Sequence, residues 1–193
     1  MAHQNQINFC KWVKANHPRY FKDVSVCDIG SLDINGNNHY LFENYKYAGV
    51  DVGVGKNVTV ISEGHNYKPE GVTYDIVIST ECFEHDKNYR ATLLNCIALL
   101  KSGGMFLFTC ATTGRHEHGT RRTRSLETAR ENNREGYLGD SPLTAEMGDW
   151  GDYYKNLTEQ DIREVFAPDE HFSESFFGVD NDVHDLYFFG IKK

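Results

Sequence analysis

The sequence predicts an α/β fold, a doubly wound and mostly parallel seven-stranded sheet ending in an antiparallel edge strand. Three observations predict it. Apolar β-branched runs alternate with amphipathic stretches of helical period, as parallel strands and their crossover helices require. Three of the predicted strands carry Asp, Gly or Ser at their carboxyl ends. The final pair of apolar runs is joined by a short acidic turn, as in a hairpin.

The elements follow in order. Residues 4–16 place Ile7, Phe9, Cys10 and Val13 at mixed helical spacing before Pro18, which predicts an opening helix. Val24–Ile29 reads as a buried strand ending at Gly30. A helix is expected from Asn35–Gly36 through His39, Leu41 and Phe42, followed by a strand over Tyr47–Val52 and a short one over Val58–Ile61. Tyr74–Ser79 is the fourth strand. Leu93, Leu94, Ile97 and Leu100 then repeat at three- and four-residue spacing, as on a helix packed against a sheet. Lys101-Ser-Gly-Gly104 suits a left-handed helix cap leading into a fifth strand, Met105–Thr109. From Ala111 to Lys155 the apolar periodicity fades into an Arg- and Glu-rich stretch, read as an inserted lid or recognition segment within a single domain spanning 1–193. Thr158 and Asp161 form a capping-box pattern ahead of Ile162, Val165 and Phe166. His171–Phe177 and Asp185–Ile191 are the last two strands, flanking the turn at Asp180-Asn-Asp182.

Bulk properties narrow the functional class. The 193 residues suffice for one well-formed domain, with 39% hydrophobic, 13% aromatic and 25% charged residues. A net charge of −8 argues against a broad phosphate-binding surface and disfavours nucleic acid as a partner. Five cysteines without a C-x-x-C pair suggest neither a disulfide framework nor a zinc cluster, and point to a reducing, cytoplasmic setting. No run approaches the length of a membrane span, so no membrane partner is expected.

The chemistry is expected at the strand ends, because open α/β sheets bind ligands beyond the carboxyl ends at the topological switch point. Asp28 and Gly30 sit in the first strand-to-loop turn, where Asp28 can order the loop or accept from a ligand ammonium. Asp51 ends the next strand, where a carboxylate can accept both hydroxyls of a ribose. Ser79-Thr-Glu-Cys-Phe-Glu-His85 leaves the fourth strand toward the same crevice.

These segments together resemble the class I S-adenosylmethionine-dependent methyltransferases, and in particular the small domains known as methyltransferase type 11. VCDIGSLDING is similar to their glycine motif, YAGVDV to the ribose-acid motif, YDIVISTECFEH to the fourth-strand motif and LLKSGGMFLFT to the loop and fifth strand. The resemblance covers roughly residues 24–110, with an echo in DYYKNLTEQDIREVF. It implies a Rossmann-like fold, S-adenosyl-L-methionine as cofactor and methyl transfer to a small-molecule or polar acceptor. It assigns Asp28, Gly30 and Ser31 to the methionine end, with Asn35 in the same loop. Asp51 goes to the ribose, Val52, Glu63 and His65 to the adenine, and Ser79 and Glu81 to the region of the sulfonium. Two departures stand out: the loop Gly30–Gly36 lacks three closely spaced glycines, and Glu63-Gly-His65 lacks an acid followed by an apolar residue.

A sulfonium methyl needs no metal for activation, and none is expected, although Gly114-Arg-His-Glu-His118 contains a His-x-His spacing. If the acceptor must lose a proton, His85 and His116 are the candidate bases. Arg115, His118 and Tyr154 are candidate substrate contacts, alongside a basic run at Arg121, Arg122 and Arg124 and an aromatic group at Trp150 and Tyr153. Two other readings compete. A catalytically idle cofactor-binding subunit would bind without turnover. A nicotinamide-dependent oxidoreductase would need a tight G-x-G-x-x-G turn, which residues 30–36 do not supply.

Overall fold

The computed structural model describes residues 3–120 and 153–193. The chain opens with α1 (Gln4–Asn16), then runs through β1 (Ser25–Ile29), β2 (Lys46–Asp51), β3 (Val60–Ile61) and β4 (Tyr74–Thr80). It continues with α2 (Tyr89–Leu99), β5 (Leu100–Ala111), α3 (Glu159–Arg163), α4 (Pro168–His171), β6 (Phe172–Asp180) and β7 (Asp185–Lys192). The described part of the basic run, the aromatic group and the predicted lid comprises residues 111–120 and 153–155; Arg121, Arg122, Arg124 and Trp150 lie outside the described residues.

The seven strands form one sheet in the order β3-β2-β1-β4-β5-β7-β6. β1 to β5 are parallel, β7 runs antiparallel to β5, and the edge strand β6 pairs antiparallel to β7. The expected terminal hairpin is therefore present, with β7 as the reversed strand. Side chains alternate across the two faces as the strand period demands. Val26, Ile76, Ile78, Met105, Leu107, Tyr187 and Phe189 face a core with Phe9, Cys10 and Val13 of α1. Cys27, Ile29, Val77, Phe106, Phe108 and Phe188 face the other core, with Leu93, Cys96 and Ile97 of α2 and Ile162 of α3. Burial on both faces is why the central strands read as continuous apolar runs.

Two expectations require correction. The helix expected from Asn35 to Phe42 is only one 3-10 turn, His39–Leu41. The loop before it is organised by the Asp33 carboxylate, which accepts from the Gly36 amide and the Asn37 side chain, both at 2.9 Å, and pairs with Lys56 at 2.7 Å. Such side chain to backbone bonding competes with helix formation. The glycines of Lys101–Gly104 do not cap α2. Instead the strand begins at Leu100, and the β4–β5 register jumps from Tyr74↔Leu100 to Ile76↔Met105, so residues 101–104 form a bulge. Gly103 takes φ +75 within it, and Gly104 lies so near the Tyr74 and Asp75 carbonyls that a Cβ would meet them at 3.1 Å. Smaller differences lie at element ends: the third strand shortens to Val60–Ile61, and the last two extend to Asp180 and Lys192.

Among the described residues, no helix is long and apolar enough to cross a membrane.

Candidate active site

Strand direction reverses its lateral progression between β1 and β4, and the carboxyl ends of β1, β2 and β4 converge there. Asp28 lies opposite Gly49 and Ile78 and is 1% exposed. Its Oδ2 accepts from Tyr47 Oη at 3.0 Å and Asn38 Nδ2 at 3.2 Å, while Oδ1 is buried without a partner. Burial pushes this carboxyl up to about 7, against the two hydrogen bonds. Gly49 makes this packing possible: a Cβ there would meet the Tyr47 ring at 2.7 Å and Ser31 Oγ at 2.9 Å. Ser31 Oγ is likewise buried without a partner.

Gly30 takes φ +79, and a Cβ on it would come within 2.4 Å of Cys82 Sγ, so the β1 and β4 loops touch across the switch point. Ser79 reinforces that junction by donating from Oγ to the Ile29 carbonyl at 2.8 Å. Asp51 closes β2. Its Oδ2 accepts from the Leu32 amide at 3.1 Å and its Oδ1 from the Gly53 amide at 2.8 Å, which leaves acceptor capacity on both oxygens. Burial raises its pKa despite these bonds. Val52 follows, half-buried. Glu63 accepts from Asn66 Nδ2 at 2.7 Å and lies 3.4 Å from His65 Nε2. Asn35 is exposed at the tip of the loop after β1.

The segment after β4 divides into two buried groups. Glu81, at φ +53, accepts from Thr109 Oγ1 at 2.9 Å and lies 3.9 Å from the Arg115 guanidinium and 3.8 Å from His3 Nε2. Arg115 also donates to Asp185 at 3.2 Å, and His3 lies 2.7 Å from the same carboxylate. Arg115, expected at the substrate, thus compensates buried acids with a side chain only 15% exposed. The second group is Glu84, His85 and His118. Glu84 is fully buried, neither carboxylate oxygen has a hydrogen-bond partner among the described residues, and burial pushes its pKa up to about 8. Burial holds both imidazoles below the ordinary histidine range. The rings of His85, His118 and Tyr154 meet edge to face at 4.9–5.3 Å. Gly119, at φ +65, passes so close over His85 that a Cβ would sit 3.0 Å from its Cε1. The His116 side chain is exposed, while its carbonyl accepts from His118 Nδ1 at 3.1 Å and Tyr154 Oη at 3.2 Å.

The structure therefore brings Asp28, Gly30, Ser31, Asp51, Ser79 and Glu81 to one edge, and groups His85, His118 and Tyr154 beside it. Tyr47, Asn38, Cys82 and Glu84 are additions. The strand period places Tyr47 on the Asp28 face, so its role had a sequence signal; the burial of Glu84 had none.

The sequence profile of the methyltransferase-domain family matches residues 1–155. The chain belongs to that family. Its fold is the class I arrangement, in keeping with the resemblance of the strand-end motifs. Among solved structures, the methyltransferase-domain chain is similar to the Burkholderia thailandensis 1,6-didemethyltoxoflavin-N1-methyltransferase, solved with bound 1,6-didemethyltoxoflavin and S-adenosylhomocysteine. The two share 15% identity over 97% of this chain and 78% of the other, with a TM-score of 0.59. The N-methyltransferase NodS from Bradyrhizobium japonicum, solved with S-adenosylhomocysteine, gives 12% identity, 97% and 85% coverage and a TM-score of 0.57. The plantazolicin methyltransferase BpumL, also with S-adenosylhomocysteine, gives 12%, 98% and 84%, and 0.60. No curated protein matches the chain.

Proposed function

We propose that this domain transfers a methyl group from S-adenosylmethionine to a small polar acceptor, with residues 111–155 of the single domain shaping acceptor entry. The observation that carries the reading is the set of strand ends at the β1/β4 switch point: buried, unpartnered Asp28 Oδ1 and Ser31 Oγ beside Gly30, and Asp51 with spare acceptor capacity one strand away. Buried polar groups without partners are uncommon in folded proteins, and here they face a place where ligands of open α/β sheets bind. The structural neighbours solved with S-adenosylhomocysteine support the same cofactor.

The residues present fit that cofactor. Asp28 and Ser31 suit the ammonium of its methionine end, Asp51 the ribose hydroxyls, and Val52 with Glu63 and His65 the adenine. Ser79 acts as a positioning residue, because its hydroxyl is spent on the Ile29 carbonyl. Glu81 leaves β4 toward the sulfonium region, its buried carboxylate offset by Arg115 and His3. The cofactor supplies an electrophilic methyl on a sulfonium, so the protein's task is to align the acceptor and exclude water. His85 and His116 stand as candidate bases, and His118 and Tyr154, whose rings pack against His85, as candidate acceptor contacts, while Arg115 is spent on Glu81 and Asp185. A nicotinamide dinucleotide fits less well, because the loop after Gly30 leads into a single 3-10 turn and offers no helix N-terminus for a pyrophosphate.

Calorimetric titration of cofactor-stripped protein with S-adenosylmethionine, S-adenosylhomocysteine and NAD tests the reading. Saturable binding of both sulfur ligands and none of NAD is expected. Asp51→Ala should weaken that binding by about ten- to a hundredfold, the usual weight of hydrogen bonds to a charged group. A folded wild-type protein that binds neither sulfur ligand overturns the proposal.

A further inference from the structure

The group formed by Glu84, His85 and His118 is more than a wall. Glu84 Oε1 lies 4.0 Å from His85 Nε2 and 4.0 Å from His118 Nε2, and the three ligand-type atoms all fall within 4.8 Å of one another. Glu84 is 0% exposed with neither oxygen hydrogen-bonded, and His118 is 2% exposed with Nε2 buried and unpartnered. A bare carboxylate facing two imidazole nitrogens, without a hydrogen-bond donor, is costly unless a cation or proton completes it. We infer that Glu84, His85 and His118 form a binding site for a divalent transition-metal ion of the zinc type.

The donor chemistry selects the ion class. Two imidazoles and one carboxylate suit Zn²⁺, Co²⁺ or Fe²⁺, whereas Mg²⁺ and Ca²⁺ prefer oxygen donors alone. The tautomer of His118 is already set. Its Nδ1 contacts the His116 carbonyl at 3.1 Å, which places the proton on Nδ1 and leaves the Nε2 lone pair toward Glu84. Ligand atoms bound to zinc at about 2.0–2.1 Å stand about 3.3 Å apart, so loading requires a contraction of about 0.7 Å on each Glu84–His edge and of at most about 1.5 Å on the His85–His118 edge. His85 is the outer ligand, with 27% of its side chain exposed, and three protein ligands leave a coordination position open.

The cluster of His3, Glu81 and Asp185 has a similar composition but a different character, because the Arg115 guanidinium already contacts both of its carboxylates. The inference departs from the expectation that the histidines near residue 116 hold no metal, and it shares His85 and His118 with the methyl-transfer reading without resting on it. Metal loading would occupy His85 and leave the exposed His116 as the remaining candidate base.

The test uses the full chain without an affinity tag, treated with chelator and titrated with Co²⁺ and with Zn²⁺ in the absence of S-adenosylmethionine. Ligand-field absorption of Co²⁺ and calorimetry of Zn²⁺ should both report one equivalent. Affinity should fall in Glu84→Gln, His85→Asn and His118→Asn by at least the about ten- to hundredfold that loss of even an outer-shell partner costs. Circular dichroism and a thermal melt confirm that each variant is folded, and His85→Asn, at the exposed edge, guards against a core effect of the other two. Absence of Co²⁺ binding by folded wild-type protein, or equal binding by all three variants, overturns the inference. S-adenosylhomocysteine calorimetry on the same sample reads the cofactor site separately, so the two proposals fail independently.

Discussion

The two ends of the sheet's burial problem are solved differently. Around β5 and β7, Phe188 is fully buried and its ring lies 4.7–5.9 Å from those of Phe106, Phe108, Phe166, Phe172 and Phe177. At the carboxyl ends of β1 and β4, Asp28, Glu81 and Glu84 are just as buried but hold carboxylates with an oxygen lacking a hydrogen-bond donor. The aromatic region gains stability from every contact. The acidic one gives up stability by desolvating charge, and a fold retains such a region where binding requires it. Energetic weakness, more than composition, separates the site from the scaffold.

The largest expected effect lies on the scaffold side. Phe188→Ala should destabilise the protein by about 3–5 kcal/mol, read as a lower urea midpoint, because the cavity opens among five rings that can only partly collapse. The fraction that remains folded should bind S-adenosylhomocysteine with unchanged affinity. A loss of affinity in the folded fraction would show that the two regions are coupled and break the division drawn between them.

That division also explains what the sequence made legible. Strand positions in β1, β4, β5 and β7 were readable because both faces are buried, so each reads as a continuous apolar run. Asp28, Gly30 and Asp51 were readable because strand ends are marked by Gly and Asp. The loop after Gly30 was not, since Asp33 captures the Gly36 amide and the Asn37 side chain, and that arrangement is held by Lys56 arriving from a distant segment. Glu84 looks like any solvated acid in the sequence. Its burial requires residues 115–119 and 154 to close over the β4 loop, a tertiary event without a local period. Gly119 is the clearest trace of it, favoured both by its φ of +65 and by His85 lying directly beneath.

Asp28→Asn sharpens the comparison from the site side. The folded protein holds Asp28 with its pKa raised to about 7 from 3.8, so between those values the unfolded chain binds fewer protons than the folded one. Stability conferred by the protonated group is therefore present below about 3.8 and lost as pH rises toward about 7. Asparagine can still accept from Tyr47 and Asn38 but cannot ionise. Thermal melts across that window should show a shallower loss of stability with rising pH in the variant, with a residual slope from Glu84, Glu81, Asp51 and Asp86, whose pKa values burial also raises. An identical slope would mean that the folded protein does not hold Asp28 in its neutral form.

The smallest effect is expected at the start of α3, where the two regions meet. Thr158 Oγ1 accepts from the Asp161 amide at 3.2 Å and donates to Asp161 Oδ2 at 2.7 Å. The helix is only five residues long, yet it delivers Ile162 to the aromatic core. Thr158→Ala removes both hydroxyl bonds but spares the Thr158 amide to Asp161 bond at 2.9 Å and the Lys155–Asp161 pair at 2.6 Å. The cost should therefore be about 1 kcal/mol, that of a single N-cap, read as a lower urea midpoint at constant slope. Because the Lys155 amide donates to the Glu84 carbonyl at 2.8 Å, the same variant also probes the acidic region. If α3 is purely scaffold, cofactor affinity should stay at the wild-type value while stability falls. If affinity falls with it, the cap at Thr158 belongs to the site, and the boundary between the stable region and the strained one lies nearer the core than the burial pattern suggests.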